Sequence, residues 1–262
     1  MGFVADVRDT LARAFAQRYK TMFGTALVYT TSWGDARIRV LDIDETYQSA
    51  TYLDDRWCEV PFPYLGLYEC VFWTGFPVRS VCMLGGGGYA FPKRVIAAHP
   101  EARIDVVEID PAITEIARKH FFLDRLMREY DTQRSGRLGL VCDDALDYLR
   151  KCRREEVRYD AIVNDCFAAG AAEESLMTAE ALHVVRSCLT STGVYLTNVI
   201  TALEGEYAGP LKEIVGALSG EFDHVYALTC DRCEHDELDN VVVMASVCDC
   251  ELPGALRLYD AM

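Results

Sequence analysis

Acidic side chains stand at or near the ends of three successive apolar runs. Glu108 lies in "RIDVVEID", Asp143 and Asp144 close "RLGLVCDD", and Asp165 closes "YDAIVND". A carboxylate can accept hydrogen bonds from hydroxyl or amino groups, hold a cation, or take a proton from a nucleophile. One acid at a strand end is as often only a helix N-cap, but repetition at successive ends points to a site. Upstream, "VCMLGGGGYAFPKRV" sets four glycines between an apolar run and Pro92, a residue suited to the first turn of a helix. Gly85, Gly86, Gly87 and Gly88, with Tyr89 and Ala90, fit G-x-G-x-x-G/A, a turn whose bare backbone lets a nucleotide come close. Glu108 follows Gly85 by 23 positions, near where an acid grips ribose hydroxyls in nucleotide-binding folds.

The charge of such a site selects among ligands. A pyrophosphate dinucleotide would face several carboxylates, whereas a nucleoside bearing a sulfonium cation would meet hydroxyl acceptors and a favourable field. S-adenosylmethionine or a relative therefore fits better than a nicotinamide dinucleotide, and the G-x-x-x-x-G-K-[ST] loop of ATPases is absent.

The elements that must position these residues follow from the hydrophobic pattern. From Arg79 onward strands and helices alternate: "SVCMLG", "RIDVVEID", "RLGLVCDD", "YDAIVND", "GVYLTNVI", "HVYALTC" and "DNVVVMAS" read as strands. Helical segments separate the first six, and the short last connection demands an antiparallel pair. The expectation is an α/β, Rossmann-like fold with a mostly parallel seven-stranded sheet and a reversed last strand. Before it, Val7, Leu11, Phe15 and Tyr19 form one stripe of an amphipathic helix over residues 4–22. "TALVYTT", "ARIRVLDI" and "YQSATYL" predict a small antiparallel unit, and "YLGLYECVFW" a linking helix. The punctuation "TGFPV" divides the chain into residues 1–75 and 76–262.

Composition excludes several classes. The formal net charge of −15, with no basic cluster to offset it, argues against nucleic acid as a partner. Apolar runs stop well short of the ~20 residues a membrane span needs, and Asp6 stands where a myristoylation signal has Ser or Thr. A soluble, cytoplasmic protein is expected. The 11 cysteines are scattered through strands and helices, which suits reduced thiols. Cys230 and Cys233 with Cys248 and Cys250 suggest a zinc set, but the second pair is spaced by one residue instead of two, so no metal is expected.

"LGGGG", "VVEIDP", "DDALDYL", "YDAIVND" and "GVYLTN" occur in the order seen in the spermidine synthase family, which shares its fold with S-adenosylmethionine-dependent methyltransferases. The chain resembles that family over roughly Asp44 to Ser246, most closely its spermidine-synthase-like branch with "GGGGYAFP". The resemblance implies that Gly85 to Gly88 line the donor's tail, Glu108 binds its ribose and Asp144 receives its adenine amino group. Asp143 is a weaker neighbouring candidate. "DETYQ" resembles the family's "DGxxQ", placing Gln48 at the donor, and Asp165 matches the acid that orients and deprotonates an attacking amine. Tyr89 and Tyr47 are candidate walls for the acceptor pocket.

Departures from the family pattern bear on the reaction. Gly88 or Tyr89 stands where aminopropyltransferases carry the aspartate for the donor's amine, Ala168 replaces a second substrate-binding aspartate, and "DDRWCEVPFPY" lacks the Tyr-His-Glu or Tyr-Gln-Glu segment. The expectation is an alkyl transferase using S-adenosylmethionine or its decarboxylated form, with methyl transfer slightly ahead of aminopropyl transfer and an unknown small acceptor that includes amines. A catalytically silent nucleoside-binding module and a nicotinamide-dependent oxidoreductase are the rivals. A homodimer through the N-terminal helix and β unit is expected, and the small residues of "FAAGAAEESLM" would permit the loop 167–177 to close.

Overall fold

A computed structural model of the chain describes residues 7–168, 171–172, 174–230 and 235–261. The N-terminal part begins with helix α1 (Val7–Ala14), followed by strands β1 (Gln17–Thr21), β2 (Gly24–Trp33), β3 (Ala36–Ile43) and β4 (Thr46–Tyr52). These strands form an antiparallel sheet in chain order. Among the described residues, the amphipathic helix expected over residues 4–22 is confined to Val7–Ala14, while residues 4–6 lie outside them. Beyond Ala14 the chain turns, and Tyr19 and Thr21 face inward on alternate positions of a strand, while Gln17, Arg18 and Lys20 are exposed. A stripe spaced by four residues satisfies both periods, and pairing with β2 decides for the strand.

The β3–β4 hairpin closes through Asp44 and Glu45, whose φ of 49° and 64° are those of a two-residue turn matched to strand twist. Leu41 pairs with Ser49 and Asp42 with Tyr47, leaving Gln48 as the extra residue of a bulge. "YLGLYECVFW" forms a short helix α2 (Pro63–Leu67) and a 3₁₀ turn, Tyr68–Trp73, rather than one long linking helix.

The remaining elements run β5 (Ser80–Leu84), α3 (Ala90–Ala98), β6 (Arg103–Val107), α4 (Pro111–His120), α5 (Leu123–Glu129), α6 (Thr132–Ser135), β7 (Leu138–Val141), α7 (Ala145–Arg154) and β8 (Tyr159–Asn164). A small hairpin follows, β9 (Phe167–Ala168) with β10 (Ala171–Ala172), and then α8 (Ala179–Ser187), β11 (Leu189–Thr201), α9 (Gly209–Leu218), β12 (His224–Leu228), β13 (Asp239–Ser246) and β14 (Leu256–Asp260). The main sheet has the order β14-β12-β13-β11-β8-β5-β6-β7. Strands β7, β6, β5, β8 and β11 are mutually parallel, and β13 runs against both β11 and β12. The expected class holds, with eight strands among the described residues instead of seven: after the turn at Gly254, β14 pairs with the edge of β12.

Each face of the main sheet carries its own apolar core. On one face, Ile38, Leu41 and Ala50 of the N-terminal sheet join Met83, Phe91 and Ile104 in a continuous cluster. On the other, Leu84, Leu149, Ile162, Leu182 and Leu218 pack beneath α7, α8 and α9. The first cluster holds the bulged hairpin over the carboxyl ends of the parallel strands, where ligands of open α/β sheets bind.

Candidate active site

The glycine turn is built around close backbone approach. Gly85 has φ +88°, and a Cβ there would lie 2.8 Å from the Asp165 carbonyl oxygen. Two hydrogen bonds, Gly85 N–H to Val107 O at 2.9 Å and Asp165 N–H to Leu84 O at 2.9 Å, tie together the ends of β5, β6 and β8. Glu108 is fixed by three amides. Its Oε2 accepts from Gly86 at 2.9 Å and Gly87 at 3.3 Å, and its Oε1 accepts from Asp110 at 2.9 Å. Burial raises its pKa, while these amide bonds pull the other way. The Asp144 carboxylate caps α7 by accepting from Asp147 N–H at 3.0 Å, and Asp143 Oδ1 accepts from Asp144 N–H at 2.9 Å. Capping and lining the cleft are compatible here, because each uses only part of a carboxylate's acceptor capacity.

These elements enclose a cleft of about 270 Å³. Gln48, Gly85, Gly86, Gly87, Glu108, Asp143, Asp144 and Asp165 all line it. Its apolar wall includes Leu41, Leu65, Met83 and Phe91, and among the described residues no lysine, arginine or histidine reaches it. Asp165 lies at the end of β8, where Tyr68 donates a hydrogen bond from its phenol to Oδ1 at 2.7 Å. Burial pushes the Asp165 pKa up to about 7, against the hydrogen bonds from Tyr68 and Asn198. The Tyr68 phenol is in turn held well above its ordinary value by burial and by the charge of Asp165. A carboxyl group that exchanges its proton near neutrality, beside a polar anchor for hydroxyl groups, can accept a proton from a nucleophile.

Three predicted residues lie elsewhere. Gly88 packs against β4, since a Cβ there would meet Ser49 Oγ at 2.6 Å and the Phe121 ring at 2.9 Å. Tyr89, expected as an acceptor wall, is fully buried, and its phenol shares a 2.9 Å hydrogen bond with Thr114 Oγ1. Its ring lies 2.9 Å from where a Cβ on Gly86 would sit, so it supports the glycine turn from beneath. Tyr47 sits outside the cleft with the Arg13 guanidinium 5.6 Å from its ring centre.

Other residues enter that the motifs did not single out: Tyr68, Phe23, Ser175 and Leu176. Tyr68 carried a weak signal, an aromatic residue within a short segment next to the boundary at "TGFPV". Ser175 and Leu176 bring part of the loop 167–177 to the cleft, while Ala169, Gly170 and Glu173 lie outside the described residues. Cys233 of the alternative zinc set also lies outside them, and no group of three or more potential ligands to a metal occurs among the described residues. No described helix is long and apolar enough to cross a membrane.

Comparison with known proteins gives a consistent picture. The spermine/spermidine synthase domain matches residues 74–207, about half of the chain. The polyamine aminopropyltransferase of Vibrio vulnificus is 27% identical over 157 residues, covering 60% of this chain and 50% of that protein. The eEF1A lysine and N-terminal methyltransferase homolog of Drosophila melanogaster is 27% identical over 128 residues, covering 47% of this chain and 18% of that protein. The chain thus spans half or less of the length of these curated relatives. A probable spermidine synthase from Corynebacterium glutamicum shares the fold with a TM-score of 0.71 at 18% identity, over 88% of this chain and 80% of that one.

Proposed function

The chain belongs to the spermine/spermidine synthase domain family, and from that premise we propose that it is a transferase that binds an S-adenosyl sulfonium donor and moves an alkyl group to a nucleophile held at Asp165. The observation that carries this reading is one cleft holding both Glu108, anchored by the glycine turn, and Asp165, poised near neutrality, with no cation among the described lining residues to repel a sulfonium. In the bound state Glu108 takes the ribose hydroxyls, Asp144 the adenine amino group with Asp143 beside it, and Gly85 to Gly87 with Gln48 the donor's tail. Gly88 contributes by letting the turn close on Ser49.

The nucleophile then forms a bond to the carbon on sulfur, the carbon–sulfur bond breaks, and its electron pair leaves on sulfur as a neutral thioether. The nucleophile's proton passes to Asp165, whose orientation the Tyr68 phenol fixes. No metal takes part in this reading.

Methyl transfer stays slightly ahead, because Gly88 or Tyr89 and Ala168 stand where aminopropyltransferases carry acids. Aminopropyl transfer is favoured by a different observation: among the described residues no lining arginine or lysine would pair with the tail carboxylate of S-adenosylmethionine. The acceptor in either case is read as a small molecule, an amine suiting the acid-lined cleft. A homodimer is supported by the exposed Leu11 and Phe15 on and just after α1, and sedimentation of Leu11→Asp tests it, because an unchanged mass would remove the proposal.

The deciding experiment is calorimetric titration with S-adenosylmethionine, its decarboxylated form and methylthioadenosine, with Glu108→Gln as the control. Preference for the carboxylated donor, weakened in the variant by roughly tenfold or more as expected for a lost hydrogen bond to a charged group, supports methyl transfer. Preference for the decarboxylated donor installs aminopropyl transfer, and binding without turnover across an amine panel leaves a silent module. Binding of none of the three overturns the donor site.

A further inference from the structure

Hairpin tips are ordinarily polar or rich in glycine, yet β1 and β2 are joined by Met22 and Phe23. Both side chains stand open, Met22 at 63% and Phe23 at 46% exposure. A local rule broken without a local benefit is a mark of function. The tip is nevertheless firmly built. Thr21 Oγ1 accepts from Phe23 N–H at 3.2 Å and donates to Gly24 O at 2.9 Å, and Met22 N–H donates to Asp110 Oδ2 at 2.6 Å. Asp110 also caps α4 and bonds through its own N–H to Glu108. A continuous hydrogen-bonded path therefore fixes the tip relative to the carboxylate that reads the donor's ribose in the function proposed above.

Phe23 lines the cleft, as does Ile109, the residue after Glu108, which is itself 37% exposed. Two partly uncovered apolar side chains thus stand beside a buried hydroxyl acceptor. A ligand that meets Glu108 through ribose hydroxyls brings a sugar and a flat base alongside them, and both have faces suited to apolar contact.

We propose that Phe23 is a nucleoside-binding residue, its ring packing on the nucleoside of the donor as the outer wall of the site. The inference rests on the donor reading and adds to it a contribution from the N-terminal hairpin. Because the tip is ordered before binding, little conformational entropy is lost when the ring is covered. The nucleoside is common to donor and thioether product, so the contact binds both equally and leaves the chemical step unchanged.

The test is calorimetric titration of methylthioadenosine into the wild-type protein, Phe23→Ala, Phe23→Leu and the surface control Leu256→Ala, at a 43% exposed position outside the cleft. Phe23→Ala is expected to weaken binding about tenfold, as for loss of a partly buried aromatic contact, and Phe23→Leu less than about threefold. Leu256→Ala leaves it unchanged, and S-adenosylmethionine shows the same ratio as methylthioadenosine if it is the donor. Equal affinity of wild type and a folded Phe23→Ala overturns the inference while leaving the donor site standing. No nucleoside binding by the wild type overturns both. Should Phe23→Ala unfold, Phe23→Trp decides: a ligand-dependent fluorescence change absent from the wild type supports contact, and its absence with normal affinity overturns it.

Discussion

Asp165 must be charged to take a proton, yet its surroundings favour the neutral acid. Burial raises its pKa to about 7 against an ordinary 3.8, and the Tyr68 hydrogen bond opposes that rise. The proposed reaction therefore gains its base as pH climbs through about 7, and kcat/KM is expected to rise along one limb there. Asp165→Asn should lower turnover by roughly 10²–10⁴-fold, the usual range for a proton-transfer group. Tyr68→Phe removes a bond that stabilises the carboxylate, so it should move that limb to higher pH; a limb that stays put would show that Tyr68 does not govern Asp165. The acids were legible before the fold because each closes an apolar run, a position the chain order alone reveals. Tyr68 was not, since its partner lies 97 positions away and only the packing of the two halves brings them together. Tyr89 shows the converse: an aromatic residue in a binding motif that serves the turn's underside.

At the scale of elements, the glycine turn is where local conformation and the site are one problem. Gly85 combines a positive φ with a contact to Asp165 backbone that no side chain can relieve. Gly85→Ala should therefore cost a few kcal/mol of stability, on the order of 2–4, and reduce donor binding with it. Gly216 is the contrast, an exposed helical glycine with nothing within 4 Å of its would-be Cβ. Gly216→Ala should add about 0.5–1 kcal/mol and leave binding untouched. Denaturant melts of the two variants check this, and equal effects would mean that the clash at Gly85 is absorbed by movement. The parallel strands and their helices were readable because their apolar runs and caps agree, as at Asp110 and Pro111. Three features were hidden: the strand over Gln17–Thr21, the edge strand β14 and the bulge at Gln48. Each depends on a partner strand, and the bulge that turns Gln48 into the cleft is a mismatch between two strands that neither shows by itself.

For the whole molecule, the seam between the N-terminal sheet and the main sheet holds a buried lysine. Lys93 on α3 is fully buried, with Nζ donating to Thr51 Oγ1 of β4 at 2.7 Å and lying 5.8 Å from the centre of the Phe122 ring. Arg94, its neighbour, pairs across the same seam with Glu59 and Glu69. Burial pushes the Lys93 pKa down to about 7 from 10.5, with the nearby Cys58 thiol acting weakly the other way. Between pH 7 and 10.5 the unfolded chain then binds a proton that the folded chain lacks, so this residue makes stability rise with pH across that window. Asp165 acts in the opposite window. Between pH 3.8 and 7 the folded chain holds a proton that the unfolded chain has released, and stability falls as pH rises. The two groups together place a trough near neutrality, one from the seam and one from the site. Lys93→Met keeps the volume and removes the charge, at the cost of the Thr51 bond. It should stabilise the protein by on the order of 3 kcal/mol at pH 7. That advantage should shrink steadily towards pH 10. Asp165→Asn should instead gain between pH 4 and 7 and hold its gain above. Thermal melts of the wild type and both variants at pH 5, 7 and 9.5 separate the contributions, and a Lys93→Met advantage of the same size at pH 7 and 9.5 would show that the lysine stays charged in the seam.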